Sequence, residues 1–170
     1  IRVNLLYQVA SAKARSQPLE DGGGAIEVTV GPTVVTGGPS DEFAFSVRDG
    51  SVLVQRVTGG QASDVGVGPS ATIRWAGTRN PGTAAGTSTL LDLVGPGTSL
   101  DSAGHRYRYG TIDIVPVSTS KGVRLNAVNN VRIHDEYLYG ISEVSSSWPD
   151  AAQQAQILAA RTYALSKIDR

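Results

Sequence analysis

The feature that most constrains the fold is a series of short β-forming runs, extending from residue 1 to about residue 131. Each run is bounded by clusters of Gly, Pro, Ser, Asp or Asn, which end strands and begin turns. Short strands at such regular spacing are typical of an antiparallel sandwich or barrel. The runs are Ile1–Tyr7, Ala25–Val35, Phe43–Val47, Val52–Val57, Ala71–Trp75, Tyr107–Val117 and Val123–Val131.

Turn signals add detail to this pattern. Asp49-Gly50 stands between two runs and predicts a hairpin turn. Gly22-Gly23-Gly24 lacks the following Lys-Ser/Thr and helix of a phosphate loop, so a turn is the favoured interpretation. Residues 77–105 are the least regular part and predict long loops around one strand at Thr89–Val94.

Composition bounds the classes of function. The 170 residues suffice for one domain with a small appendage, and 20 Gly and 8 Pro are too few for a disordered chain. Basic and acidic residues balance at 15 each, so no basic field exists to attract nucleic acid or an anionic membrane. No apolar run approaches the roughly 18 residues of a membrane span, and no transmembrane segment is predicted.

The absence of Cys excludes a disulfide framework, a thiolate zinc site and a cysteine nucleophile. His105 and His134 are far apart and lack partners at metal-ligand spacing, so neither a metal nor a cofactor is predicted. The sequence begins with Ile and contains no Met, which we interpret as a processed form or a fragment.

From about residue 134 the pattern becomes helical. Asp135–Gly140 predicts a short helix with acidic residues in its first turn and Gly at its end. Ser147 is the expected N-cap of a second helix that continues through Leu165. Its small side chains predict a smooth stripe for close packing, formed by Ala152, Ala155 and Ala159.

Glu143, in the connection between these helices, is the strongest candidate for chemistry. Ile141 and Val144 flank it, and Trp148 follows closely. Desolvation by such neighbours is expected to raise the pKa of the Glu143 carboxyl toward neutrality, as a general acid requires. The residues alone leave an alternative open, in which Glu143 caps the second helix or solvates a turn.

Residues 135–165 resemble the signature of a family that contains stage II sporulation protein D (SpoIID) and the LytB amidase enhancers. The matching parts are Asp135–Gly140, then Glu143, then Trp148-Pro149, then Ala152–Leu165 with its Ala-Ala-Arg-Thr-Tyr-Ala-Leu end. Weaker similarity extends over most of the chain, at Ile1–Val3, Phe45–Gly50, Tyr107–Ile114 and Val128–Val131.

The resemblance implies a lytic transglycosylase that acts on peptidoglycan glycan strands without stem peptides, with Glu143 as the catalytic acid. It also implies an extracytoplasmic location, secreted or associated with the cell wall. The alternative is a non-catalytic cell-wall module that enhances an amidase, which would be its protein partner.

Three residues are candidates for substrate binding, each beside a structural alternative. Trp148 is a candidate sugar-stacking platform or a core anchor. Arg161 is a candidate partner for a muramoyl carboxylate, or a member of a buried ion pair with Glu136. Tyr137 is a candidate contact to the sugar or, like Tyr163, a packing residue with a polar tip.

The expected fold class is therefore α+β, with residues 1–131 as the strand-rich region and residues 132–170 as the helical segment that carries the catalytic motif. The family domain continues beyond the second helix and helps line the groove there. The resemblance consequently implies that this chain is the front part of a larger domain and is inactive if its groove is incomplete.

Overall fold

A computed structural model describes residues 1–77, 87–102, 105–139, 145 and 147–167. Within these residues the chain forms a strand-rich region followed by two helices. The strands are β1 Arg2–Val9, β2 Ser11–Pro18, β3 Ile26–Val30, β4 Thr33–Gly37, β5 Glu42–Arg48, β6 Ser51–Thr58, β7 Gln61–Gly68, β8 Ala71–Trp75, β9 Thr89–Val94, β10 Arg106–Tyr107, β11 Thr111–Thr119 and β12 Gly122–Asn130. The helices are α1 Glu136–Tyr139 and α2 Asp150–Ser166.

The strands form two six-stranded antiparallel sheets that pack face to face. One sheet has the order β1-β12-β11-β8-β3-β4 and the other β10-β9-β2-β5-β6-β7. Alternating apolar side chains from both sheets interlock in one core. Phe43 and Phe45 come from one sheet, and Ile73, Trp75 and Ile112 from the other, all fully buried. The predicted α+β class with an antiparallel sandwich is confirmed.

The predicted turn at Asp49-Gly50 is confirmed. Both residues have positive φ, 51° and 78°, as a two-residue turn of type I′ requires between β5 and β6. The run Ala25–Val35 was expected as one strand, and this is wrong. Gly31, with φ of 54°, turns the chain with Pro32 and divides the run into the hairpin of β3 and β4.

Both helices are confirmed, but the predicted N-cap of the second is wrong. Pro149 is the N-cap of α2 and no side chain caps the helix; the Ser147 hydroxyl is hydrogen-bonded to that of Ser145 instead. The buried small residues of α2 are Ala160 and Ala164, one turn apart, whereas Ala155 and Ala159 of the expected stripe are exposed. Neither described helix has the length and apolar character to cross a membrane.

Candidate functional site

A cavity with a volume of about 480 Å³, called the main cavity here, lies where β10, β12 and α1 meet. This volume is in the range of small-molecule sites, which combine apolar walls with a few directed polar groups. Aromatic and basic side chains dominate its lining, which consists of Arg106, Tyr107, Arg108, Tyr109, Asn129, Val131, Glu136 and Tyr139.

A buried carboxylate holds the first residue of this lining. Asp92 of β9 is fully buried, and the Arg106 guanidinium lies 3.0 Å from its Oδ1. Gln17 donates a hydrogen bond of 2.6 Å to the other oxygen, and Arg15 contributes a second cation at 3.8 Å. Because a buried carboxylate needs such partners, Arg106 is fixed in direction and its charge is compensated.

The next residues are fixed through their backbone. The indole N–H of the buried Trp75 donates to the Arg108 carbonyl at 3.1 Å. The Asn129 amide donates to the Tyr109 carbonyl at 3.1 Å. These bonds leave the Arg108 and Tyr109 side chains available to the cavity, on a wall that is ordered before any ligand arrives.

Two tyrosines form an aromatic surface at the cavity. The rings of Tyr109 and Tyr139 are 5.8 Å apart between centroids and are tilted by 43°. The Arg108 guanidinium lies 5.3 Å from the centre of the Tyr109 ring, within cation–π range. Burial raises the pKa of the neighbouring Tyr107 phenol above its ordinary value. The Tyr107 phenol is therefore neutral at physiological pH, and Tyr109 and Tyr139 present ring surface to the cavity.

Helix α1 supplies the remaining side of the cavity. Asp135 accepts a hydrogen bond of 2.8 Å from the Glu136 backbone N–H, and its acidic side chain lies at the N-terminus of α1, where the helix dipole favours negative charge. Glu136 is only 3% exposed, and its Oε2 accepts a bond of 3.0 Å from the Arg132 backbone. The Glu136 carboxylate thus fixes the loop before α1 and contributes negative charge to the cavity lining.

The two arginines of the cavity differ in their ion pairing. Arg106 is compensated by Asp92, whereas Arg108 is exposed and forms no ion pair within the described part of the chain. A cation that forms no ion pair within the described residues and lies beside an aromatic surface suits a ligand that has an apolar face and an anionic group.

The predicted site residues are distributed differently. Glu143 lies outside the described residues. Trp148 is 52% exposed, so the core-anchor alternative is wrong, and its carbonyl accepts a hydrogen bond from Gln153. The Arg161 Nε is buried without a hydrogen-bond partner, and the alternative ion pair with Glu136 is not among the ion pairs of the described residues.

Tyr137 points to a second, smaller cavity of about 230 Å³ between α1 and α2. It lies there with Tyr163, which is 65% exposed and is therefore not the packing residue that was expected. Gln156, Ala159 and Ala160 complete the described lining. Tyr137, Trp148 and Arg161 are absent from the described lining of the main cavity.

Sequence reasoning treated Tyr107–Ile114 only as a strand before the signature and missed the cavity residues. A usable signal is the alternation Arg106-Tyr107-Arg108-Tyr109 in a chain with 6% aromatic residues. Three of the six tyrosines line the main cavity. Among the described residues, no group of three or more His, Cys, Asp or Glu is arranged to hold a metal ion.

Comparison with known proteins gives a family match for the segment that carries the helices. No curated protein and no solved structure matches the chain. One family, described as SpoIID, Stage II sporulation protein, matches residues 121–170, which include all of β12 and both helices. The resemblance expected from the signature is confirmed there, since this C-terminal segment is similar to the SpoIID family.

Proposed function

We propose that the protein is a sporulation-related cell-wall protein with lytic transglycosylase activity on peptidoglycan strands that lack stem peptides. The observation that carries the proposal is the family match over residues 121–170, which contains Glu143. The cavity beside α1 supports it, because Tyr139, the last residue of α1, lines that cavity only a few residues before Glu143.

In this proposal Glu143 acts as acid and then as base. Its carboxyl proton passes to the oxygen that joins N-acetylmuramic acid to N-acetylglucosamine, and the bond from that oxygen to C1 of the muramoyl residue breaks. The resulting carboxylate takes the proton of the muramoyl C6 hydroxyl, whose oxygen attacks C1 and closes a 1,6-anhydro ring. One carboxyl group suffices because the nucleophile belongs to the substrate.

The substitution Glu143→Gln tests this role. Gln has no carboxyl proton to donate, so formation of 1,6-anhydro ends should fall about 10²–10⁴-fold. Full-length protein is incubated with peptide-free glycan strands, and the products are measured by mass spectrometry. The matched control is Glu20→Gln, which changes an exposed glutamate and should retain wild-type rates. Wild-type protein without anhydro products, or an undiminished Glu143→Gln variant, would exclude the enzymatic role.

A non-catalytic module that enhances a cell-wall amidase is the second candidate. The feature that favours it is the main cavity itself, which is built for binding and whose described carboxylate, Glu136, already holds the Arg132 backbone. This function predicts faster release of stem peptides when the protein is added to an amidase and intact peptidoglycan. It also predicts that Glu143→Gln leaves the acceleration unchanged. Either function places the protein outside the cytoplasm.

A further inference from the structure

We propose that the main cavity binds an N-acetylated sugar that carries a free carboxylate, and that Arg108 is the residue that selects it. The inference rests on the proposed glycan substrate. It goes further by naming a residue that distinguishes a muramoyl unit with a free lactyl group from a sugar without one.

The shape of the lining favours a sugar ring. Tyr109 and Tyr139 lie side by side, and Tyr139 is 61% exposed, so a ligand can reach its ring. A pyranose presents C–H groups on one face and hydroxyls on its edge, and an aromatic side chain with a polar tip complements both. The cavity of about 480 Å³ accommodates such a ring with its substituents.

One cation of the lining, Arg108, favours an acidic sugar. Arg106 forms an ion pair with the Asp92 carboxylate, and the Glu136 carboxylate accepts a hydrogen bond from the Arg132 backbone. Both Arg106 and Glu136 therefore already have partners within the protein. Arg108 has its carbonyl fixed by Trp75, while its guanidinium forms no ion pair within the described ranges. A guanidinium in this state offers paired N–H donors, which match the two oxygens of a carboxylate.

A free lactyl carboxylate exists only where the stem peptide has been removed, since the peptide is attached through that group as an amide. Selection by Arg108 therefore supplies a physical reason for a preference for peptide-free strands. An amide in the same place loses the charge that strengthens the hydrogen bonds to the guanidinium.

Binding measurements on the full-length protein test the inference without requiring turnover. The probes are the methyl glycoside of N-acetylmuramic acid, its lactyl carboxamide and the methyl glycoside of N-acetylglucosamine. We expect the wild-type protein to bind the acid about tenfold more tightly than the other two, in line with one charge-assisted contact. Arg108→Gln should abolish that difference, and Arg108→Lys should restore part of it.

Two further variants test the contribution of the aromatic surface and control for the loss of a positive charge elsewhere. Tyr139→Ala should weaken all three probes, because each uses the ring. Arg124→Gln removes a cation from β12 that also forms no ion pair within the described chain, and should change nothing. Equal affinities in the wild-type protein, no binding of any probe, or a difference that survives Arg108→Gln would each overturn the inference.

The same binding assay on Glu143→Gln distinguishes the two proposals. Retained selection of the acid by a protein that makes no anhydro products would reject the transglycosylase while keeping the role of Arg108. Anhydro products from a protein that does not select the acid through Arg108 would keep the transglycosylase and reject the role of Arg108.

Discussion

Gly110 lets Asn129, a residue of the main cavity, approach the backbone closely. Its φ is +105°, and a Cβ there would clash with the Asn129 Oδ1 and lie 2.9 Å from the Asn130 carbonyl. The absence of a side chain lets Asn129 approach closely enough to hold the Tyr109 carbonyl. Position 110 therefore needs glycine for two reasons, because its φ is positive and because Asn129 leaves no room for a side chain.

Gly110→Ala is expected to destabilise the protein by about 2 kcal/mol or more, because the left-handed backbone is strained and Asn129 must move. Urea unfolding of both proteins measures the change. Gly122→Ala is the matched control: Gly122 has φ of +93° but no atom within 4 Å of the added Cβ. It should cost only about 1 kcal/mol, from strain alone. Equal losses in the two variants would show that the contact with Asn129 is unimportant.

The sequence shows the unusual composition of the cavity residues, but it does not show which of these residues are in contact. The Arg-Tyr alternation at residues 106–109 is visible in the sequence. Its contact with Tyr139 depends on the pairing of β10 with β9 and on the position of α1 after β12. Both relations join residues that are distant in the chain, so the periodicity of the sequence does not predict them.

At the scale of elements, the strands that sequence reasoning missed are those without an apolar pattern. In β2 the buried side chains are Ala12, Ala14 and Ser16, which are small or polar, although β2 is an interior strand between β5 and β9. Partner strands provide the bulk, with Phe45 opposite Ala12 and Phe43 opposite Ala14. Residues of β7 are largely exposed at a sheet edge, so its polar sequence resembles a loop.

Helix α2 differs from the strands in how little it buries. Within its 17 residues only Ala160 and Ala164 are buried, and large apolar side chains such as Leu158 are exposed. Tertiary burial rather than helix propensity supplies most helix stability in proteins. The helix is therefore held less firmly than the sandwich.

Hydrogen exchange should resolve this difference. We expect the backbone amides of α2 to be at least about tenfold less protected than those of β11 and β12, because local opening of the helix exposes little buried surface. Exchange followed by mass spectrometry compares peptides from the two regions within one sample, so the strands serve as the internal control. Comparable protection in both regions would contradict the expectation.

For the whole molecule, acid stability depends on an ion pair between the β4–β5 loop and β6. Asp41 is 4% exposed, and Arg56 contacts both of its oxygens, at 2.9 and 2.8 Å. Hydrogen bonding to Arg56, followed by bonds from Gly38 and Thr58, lowers the pKa of Asp41 from 3.8 to about 2 against the opposing effect of burial. The ionised carboxylate is thus favoured in the folded protein.

This pair should stabilise the fold fully above the unfolded pKa of 3.8, and its contribution should disappear as the pH falls through about 2. Between pH 6 and pH 2 the wild-type protein should lose about 2 kcal/mol more unfolding free energy than Asp41→Asn. Urea titrations at each pH measure it. Asp49→Asn, in the exposed β5–β6 turn, should retain the wild-type dependence on pH. An identical slope for Asp41→Asn would refute the assignment.

The pairing of the first strand with the last has a consequence for the order of folding. Arg2 of β1 lies opposite Asn130 of β12, and β12 separates β1 from the rest of its sheet. During synthesis β1 therefore has no partner strand until residue 130 has left the ribosome, although β3–β4 and β5–β6 close locally. Such non-local pairing places folding in the slow, millisecond-to-second class of β-proteins. Until then the β1 edge is exposed, and its capture by β12 is the step that completes the sheet.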